Sequence, residues 1–362
     1  MQDLKGIAVP DDSGRGRPDA SKPGVTGPAF ATFTDAYLAV LAQVADSPRH
    51  EIATRGNTAQ EILNVCFTVD DPLARSPYLA ARKANIVFNH AEALWYLSGR
   101  DDLAMVGHYA PRLRSFSTDR QRLTGTAYGP RLFGPGSDRA SQFDQVIALL
   151  RADPDTKRAA MVVMQPGELA DPANPDVACT LALHLILRGG ALHMTALMRA
   201  NDTVTGLLCD VFSFTFIQEY AARLLGAKVG TYTHHAGSMH INLPDLAKAR
   251  AIVREATDTA PPRFPAAAMP ASHLDDLAEV LAWEQALRLN QRTATPRDPG
   301  LAGLHPYWKQ IVMLFEAHRQ ITRHPGDTVD GATLAALHPG HRWLLGHRWP
   351  RTVPAAPRGG PR

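Results

Sequence analysis

The alternation of apolar and polar positions divides the chain into helical and strand-like stretches. Apolar residues recur at i, i+3 and i+4 across TDAYLAVLAQVAD (34–46) and ANIVFNHAEALWYLSG (84–99), which predicts two helices, the second closed at Gly99. The second helix also buries an acid, Glu92, among Leu94, Trp95 and Leu97. FDQVIALLRADP (143–154) reads as a helix stopped before a proline, and AAMVVMQ (159–165) as a short buried strand. ACTLALHLILR (178–188) and ALHMTALMRA (191–200) flank Gly189-Gly190 and predict a hairpin, in which strand parity puts Cys179, Leu181, Leu183, Leu185 and Leu187 on one face. VFSFTFIQEYAARLLG (211–226) predicts a long buried helix closed by Gly226, and VGTYTHHAGSMHIN (229–242) a further strand. Three helical patterns follow, near 243–257, 272–290 and 307–322. Strands and helices interleave without a strict βαβ rhythm, and neither GxGxxG nor GxxxxGK[ST] occurs, so the expected class is α+β rather than doubly wound.

Composition narrows the picture. Residues 1–28 and 351–362 are rich in Gly, Pro and polar residues without hydrophobic period and are expected to be disordered tails, leaving 29–350 as the folded domain. With 38 basic against 35 acidic residues and no long Lys/Arg block, a small anionic ligand is a better expectation than nucleic acid. Only Cys66, Cys179 and Cys209 are present, too scattered for a disulfide framework, and no signal core is visible, which points to a reduced, cytoplasmic protein. No apolar run approaches the roughly 20 residues that cross a bilayer, so no membrane association is expected.

Several residues could carry chemistry. Taken alone, Cys179 reads more readily as a small buried hydrophobe than as a nucleophile, but Arg199 and Asp202 follow about twenty residues on, and a cationic neighbour such as Arg199 lowers a thiol pKa from about 8.5. Asp210 has a plain reading as the N-cap of a helix beginning at Val211. Glu92 could be a satisfied buried acid and His240 a core histidine. A zinc site at His234, His235 and His240 is disfavoured, because adjacent strand residues point to opposite faces, and no metal is expected.

Taken together these segments resemble the thymidylate synthase family. AEALWYLSG (91–99) is similar to the family's HELLWFLxG, which implies that Glu92 is its catalytic glutamate, and GTAYGPRL (125–132) is similar to GxVYGxQW, which implies the active-site tyrosine at Tyr128. DPDTKRAAMVV (153–163) resembles DPxSRRxIVS, whose basic pair reaches the neighbouring subunit's phosphate, here Lys157 and Arg158. DVACTLALHLILRGGALHMTALMRAND (176–202) resembles PCHxxxQFxVxxGxLxCxLYQRSxD, implying the nucleophile at Cys179, the phosphate arginine at Arg199 and the following aspartate at Asp202. GLLCDVFSF (206–214) resembles GLPFNIASY, and YTHHAGSMHIN (232–242) resembles FxHxxGDxHIY with His240 as its sugar-binding histidine. TRGNTAQEIL (54–63) takes the place of the flexible DRTGTGT phosphate loop, with Arg55 as its arginine. The resemblance implies an α+β sandwich with a large twisted mixed sheet packed by helices, a homodimer through the sheet face, and 5,10-methylenetetrahydrofolate as co-substrate.

Departures from the family pattern redirect the expected substrate. The family's uracil-reading asparagine is Asp210 here, the mark of its cytidylate hydroxymethylase branch: a carboxyl group accepts from cytosine N4 and shares a proton with N3. The phosphate serine is Ala200, the first arginine of the basic pair is Lys157, and the terminal tyrosine of HIY is Asn242, whose shorter side chain beside the sugar would admit a 2′-hydroxyl. The expected activity is therefore 5-hydroxymethylation of CMP, with dCMP as the nearest alternative substrate. A cytidylate C5-methyltransferase, thymidylate synthase itself and a catalytically silent nucleotide-binding homodimer remain as further alternatives.

Overall fold

The computed structural model describes residues 26–54, 56–134 and 140–354. Its seven strands are β1 (Ala29–Thr32), β2 (His50–Thr54), β3 (Asn57–Asp71), β4 (Ala160–Val162), β5 (Thr180–Arg188), β6 (Ala191–Asp202) and β7 (Lys228–Asn242). They form one sheet in the order β1-β3-β7-β6-β5-β4, with β2 paired to β3. The pairs β1/β3 and β6/β7 are parallel and the others antiparallel, so the sheet is mixed. The helices are α1 (Phe33–Asp46), α2 (Ile86–Leu97), α3 (Leu103–Tyr109), α4 (Gly129–Leu132), α5 (Gln142–Ala152), α6 (Gly206–Leu224), α7 (Leu246–Asp258), α8 (Asp276–Arg288), α9 (Pro306–Arg323), α10 (Gly331–Ala335) and α11 (Pro339–Arg348). The α+β class expected from the sequence is the one observed.

Cross-strand register separates the two faces of the sheet. Met161, Leu183, Ala196, His234 and Phe67 align in one row and are buried, whereas the next row, Val162, Ala182, Leu197, His235 and Cys66, is partly or largely exposed. Adjacent rows face opposite ways because side chains alternate along a strand. The buried face packs against α1 and α6, while Val162 (51% exposed) and Leu197 (37%) stand on the opposite, more exposed face.

Helix α2 is in contact with α3, α4, α6, α9 and α11, and all twelve of its residues are buried. A helix packed on every side needs no polar face, which explains its nearly continuous apolar run. Burial also makes Glu92, in its last two turns, a costly residue unless partnered.

Three expectations need correction. Helix α6 begins at Gly206 and not at Val211, so Asp210 lies inside the helix and is not its N-cap; the flanking residue is Thr205. Polar and small residues at its start (Gly206, Cys209, Asp210) hid the first turn from a hydrophobic-period reading. The register of β5 shifts between Thr180 and Ala182, so Cys179 sits before the strand and simple parity fails: Leu183 and Leu185 are buried but Leu181 is 37% exposed. The segment 54–63, expected as a flexible phosphate loop, is largely the end of β2 and the start of β3, an antiparallel hairpin with Thr54 opposite Asn57. Arg55 itself lies outside the described residues, as do most of both expected tails. At their edges, Pro28 accepts from Thr68 N at 2.9 Å and Val353 is fully buried.

Candidate active site

The segment before β5 is held by backbone contacts that a loop of this composition could not make alone. Asp176 accepts from the amides of Thr124, Gly125 and Thr126 at 2.7–2.9 Å, and Glu168 accepts from Ala178 N at 2.7 Å. A Cβ on Gly125 would fall 1.9 Å from the Asp176 carbonyl oxygen, so only glycine permits this approach. Arg199, near the end of β6, donates through Nε to Ala178 O (2.8 Å) and through Nη2 to Val177 O (3.0 Å), and Nη2 stands 3.6 Å from the Cys179 sulfur. A guanidinium thus borders the thiol, as the spacing suggested. Tyr128, buried at the start of α4, stacks on Tyr96 at 5.1 Å. Its hydroxyl is held well above the usual phenol range by burial first and by Asp210 next.

Two acids meet between α2 and α6. Glu92 accepts from Ser213 Oγ at 2.9 Å, and its carboxyl is pushed up to about 8 by burial, with the neighbouring Asp210 charge adding to the effect. Asp210, partly exposed, accepts from Asn201 Nδ2 at 2.7 Å. Loss of water around it pushes its carboxyl up to about 7, and the Asn201 hydrogen bond opposes that rise. Two carboxyl groups in one site that cannot both ionise cheaply form an arrangement suited to proton exchange. Neither Asn201 nor Ser213 was singled out from the sequence. Asn201 falls in the variable position of the RAND segment, and its signal was only its adjacency to Asp202.

The other wall comes from β6 and β7, where Asp202 and His240 are register partners and Ala200 pairs with Ser238. Asn242 Nδ2 donates to Asp202 Oδ2 at 3.2 Å, and Thr205 N donates to Asp202 Oδ1 at 2.8 Å. His240 Nδ1 is buried with no partner among the described residues, and burial lowers its pKa. His234 turns to the sheet's buried side, stacked 5.3 Å from Phe67, opposite to His235. Lys157 and Arg158 are exposed between α5 and β4 and touch none of these residues among the described contacts.

Beside the acids opens a cavity of about 270 Å³, lined by Asn89 of α2, Thr205 and Cys209 at the start of α6, and four cations: Arg82, Arg112, Lys248 and Arg348. None of the four forms a salt bridge among the described residues, and Arg82 Nε is buried without a partner. Positive charge left uncompensated in a cavity suits an anionic ligand.

A family model described as thymidylate synthase matches residues 35–283, more than half of the chain and the elements that carry Glu92, Tyr128, Cys179, Arg199, Asp210 and His240. The chain belongs to the thymidylate synthase family. Among its relatives, the deoxyuridylate hydroxymethyltransferase of Bacillus phage SP01 is 33% identical over 224 residues, 59% of this chain and 57% of that protein. The corresponding protein of Pseudomonas phage M6 is 31% identical over 47% of this chain and 48% of its own length. A putative thymidylate synthase of Methanothermobacter thermautotrophicus is 25% identical over 61% of this chain and 96% of that protein. The chain thus spans about half the length of the phage relatives it matches. Arg348 of the basic cavity lies beyond the segment matched to the thymidylate synthase model.

Proposed function

We propose that the protein is a folate-dependent pyrimidine-nucleotide 5-hydroxymethylase acting on CMP, resembling the CMP 5-hydroxymethylase of mildiomycin biosynthesis. The observation that carries this reading is the carboxyl of Asp210 inside α6, anchored by Asn201 beside Glu92, where the family has an amide. An amide accepts from uracil N3–H and donates to O4. A carboxylate instead accepts from cytosine N4–H and, once C6 is attacked, from a protonated N3. The relatives named as hydroxymethyltransferases support the one-carbon chemistry.

In this reading Cys179 adds to C6 as the thiolate, with the Arg199 guanidinium stabilising the anion. The bond to C6 makes C5 nucleophilic, and Asp210 balances the charge that develops at N3. The co-substrate 5,10-methylenetetrahydrofolate supplies the one-carbon unit at the formaldehyde level. Its anionic glutamyl end fits the basic cavity, where Arg82, Arg112, Lys248 and Arg348 would bind carboxylates. C5 bonds to that one-carbon unit, and loss of the C5 proton with departure of tetrahydrofolate leaves an exocyclic methylene; Glu92, protonated near neutrality, exchanges protons with water and the C5 centre, and addition of water to the methylene gives the hydroxymethyl group. Cys179 then leaves C6 as the double bond re-forms. Asp202, His240 and Asn242 would hold the sugar, Ala200 and Arg199 border the phosphate, and Tyr128 packs beside the thiol. Arg55, together with Lys157 and Arg158 supplied across a dimer interface, would complete the phosphate site.

A second reading, hydroxymethylation of dUMP, is favoured by the names of the phage relatives and by the raised Asp210 carboxyl, since a neutral acid can donate to O4 while accepting from N3–H. Incubation of CMP, dCMP and dUMP with methylenetetrahydrofolate, followed by mass spectrometry, tests both. A gain of CH₂O on CMP is the expected result. A gain confined to dUMP would establish the second reading, a gain of CH₂ would identify a methyltransferase, and no turnover would leave a silent binder.

A further inference from the structure

Asn201 stands where the sequence pattern gives no role, yet it is 3% exposed and makes the hydrogen bond that anchors Asp210. Its amide is enclosed: a Cβ added at Gly206 would come within 3.2 Å of Asn201 Nδ2 and 3.6 Å of Asp210 Oδ2. The absence of a side chain at Gly206 therefore keeps the space in which the two polar groups meet. The other end of the amide, Oδ1, is buried with no partner among the described residues. A buried acceptor without a donor carries a cost, and a structure retains such a group where its alternative arrangement or a ligand uses it. The arrangement observed is the donating one.

We propose that Asn201 is a positioning residue that holds Asp210 as a carboxylate and thereby biases the site toward an aminopyrimidine base. The inference rests on the reading of Asp210 as the base-recognising group. Before attack either base can share one proton with this carboxyl: cytosine at N3, uracil through O4. After addition of the thiolate at C6 the two cases diverge. In the cytosine adduct the proton passes to N3 and the carboxyl is ionic, accepting from N3–H and N4–H. In the uracil adduct the negative charge gathers on O4, and the carboxyl must keep its proton to donate there. A fixed N–H donor on Asp210 Oδ2 stabilises the first arrangement and opposes the second. A hydrogen bond to a charged group contributes about 1.5–3 kcal/mol, which corresponds to about 10- to 150-fold in the ratio of rates.

The test compares bases on the same sugar, CMP against UMP and dCMP against dUMP, by kcat/KM between pH 5.5 and 9. Asn201→Leu is expected to lower the cytosine-to-uracil ratio by about tenfold or more, mainly through kcat, and to move the ionisation of Asp210 in the pH profile upward. Asn201→Ser, which retains a small donor, should recover much of both effects. An unchanged ratio and pH profile in Asn201→Leu would overturn the inference. If the leucine variant does not fold, Asn201→Ala, which removes the amide without adding bulk, carries the same comparison and the same refuting outcome. Asp210→Asn separates the two levels of argument. If it leaves the base preference unchanged, the reading of Asp210 itself fails, whereas a shift with Asp210→Asn and none with Asn201→Leu refutes the role of Asn201 alone.

Discussion

At the residue scale, the site is governed by how much water its acids have lost. Glu92 carries its proton to about pH 8 in the folded chain, against an ordinary value of 4.5. Between those values the unfolded chain releases the proton and the folded chain keeps it, so the group withdraws stability as pH rises from about 4.5, and the penalty levels off above about 8. Glu92→Gln removes the titration and keeps an acceptor for Ser213. The variant should therefore gain thermal stability relative to wild type progressively from pH 5 to pH 8.5, while losing turnover. A stability difference independent of pH, measured by thermal melts across that range, would contradict the raised value. Asp210→Asn should reduce cytidylate turnover and shift preference toward uridylate, read from the same kcat/KM comparison of matched nucleotides. Much at this scale was legible in the sequence: Cys179 with Arg199, and Glu92, lie in motifs of recognisable composition. Asn201 and Ser213 were not, because a residue whose role is to hold another side chain has no signature until the two are seen in contact.

At the scale of elements, the hydrophobic period located α1, α2, α5, β5, β6 and β7 to within a few residues but misjudged where function interrupts the pattern. The start of α6 carries Gly206, Cys209 and Asp210 and so lacks the apolar repeat that would announce a helix. Strand β2 and the start of β3 are exposed and polar, and their ladder of register pairs is a long-range fact invisible to local pattern. One cross-link between elements was equally hidden. Arg75, in the connection from β3 to α2, pairs with the fully buried Glu219 of α6 at 2.6 Å, and the same carboxylate accepts from Met269 N at 2.7 Å in the segment after α7. Arg223 of the same helix also stands 3.5 Å from Glu219, so removing Arg75 strips the buried carboxylate of its nearer cation and leaves the more distant one, a loss of up to about 3–5 kcal/mol. Arg75→Ala should accordingly lower the urea midpoint sharply, and adding Glu219→Gln should recover much of the loss. Additive losses in the double variant would show that the two side chains act independently.

At the scale of the whole molecule, the more exposed sheet face is the feature that the single chain leaves unexplained. Val162, Leu181 and Leu197 are exposed apolar side chains on three neighbouring strands, and Lys157 and Arg158 lie exposed just before the same strands. Exposed apolar side chains on neighbouring strands are what an interaction surface would use, and a two-fold dimer would bury the same face of both copies at once. If the basic pair of each copy completes the partner's phosphate site, inactivating substitutions on different copies should complement. A Cys179→Ala chain lacks the nucleophile, and an Arg158→Ala chain lacks a phosphate contact that it would lend to its neighbour. In a mixed dimer one site has both defects and the other has neither. Unfolding and refolding an equal mixture should make about half the dimers mixed, each with one intact site, and restore about a quarter of wild-type turnover. Each variant refolded alone should stay near its own low rate. Recovery absent from the mixture, with dimers present by light scattering, would place Arg158 outside the partner's site. If this face joins the two copies, Leu197→Asp should abolish the recovery.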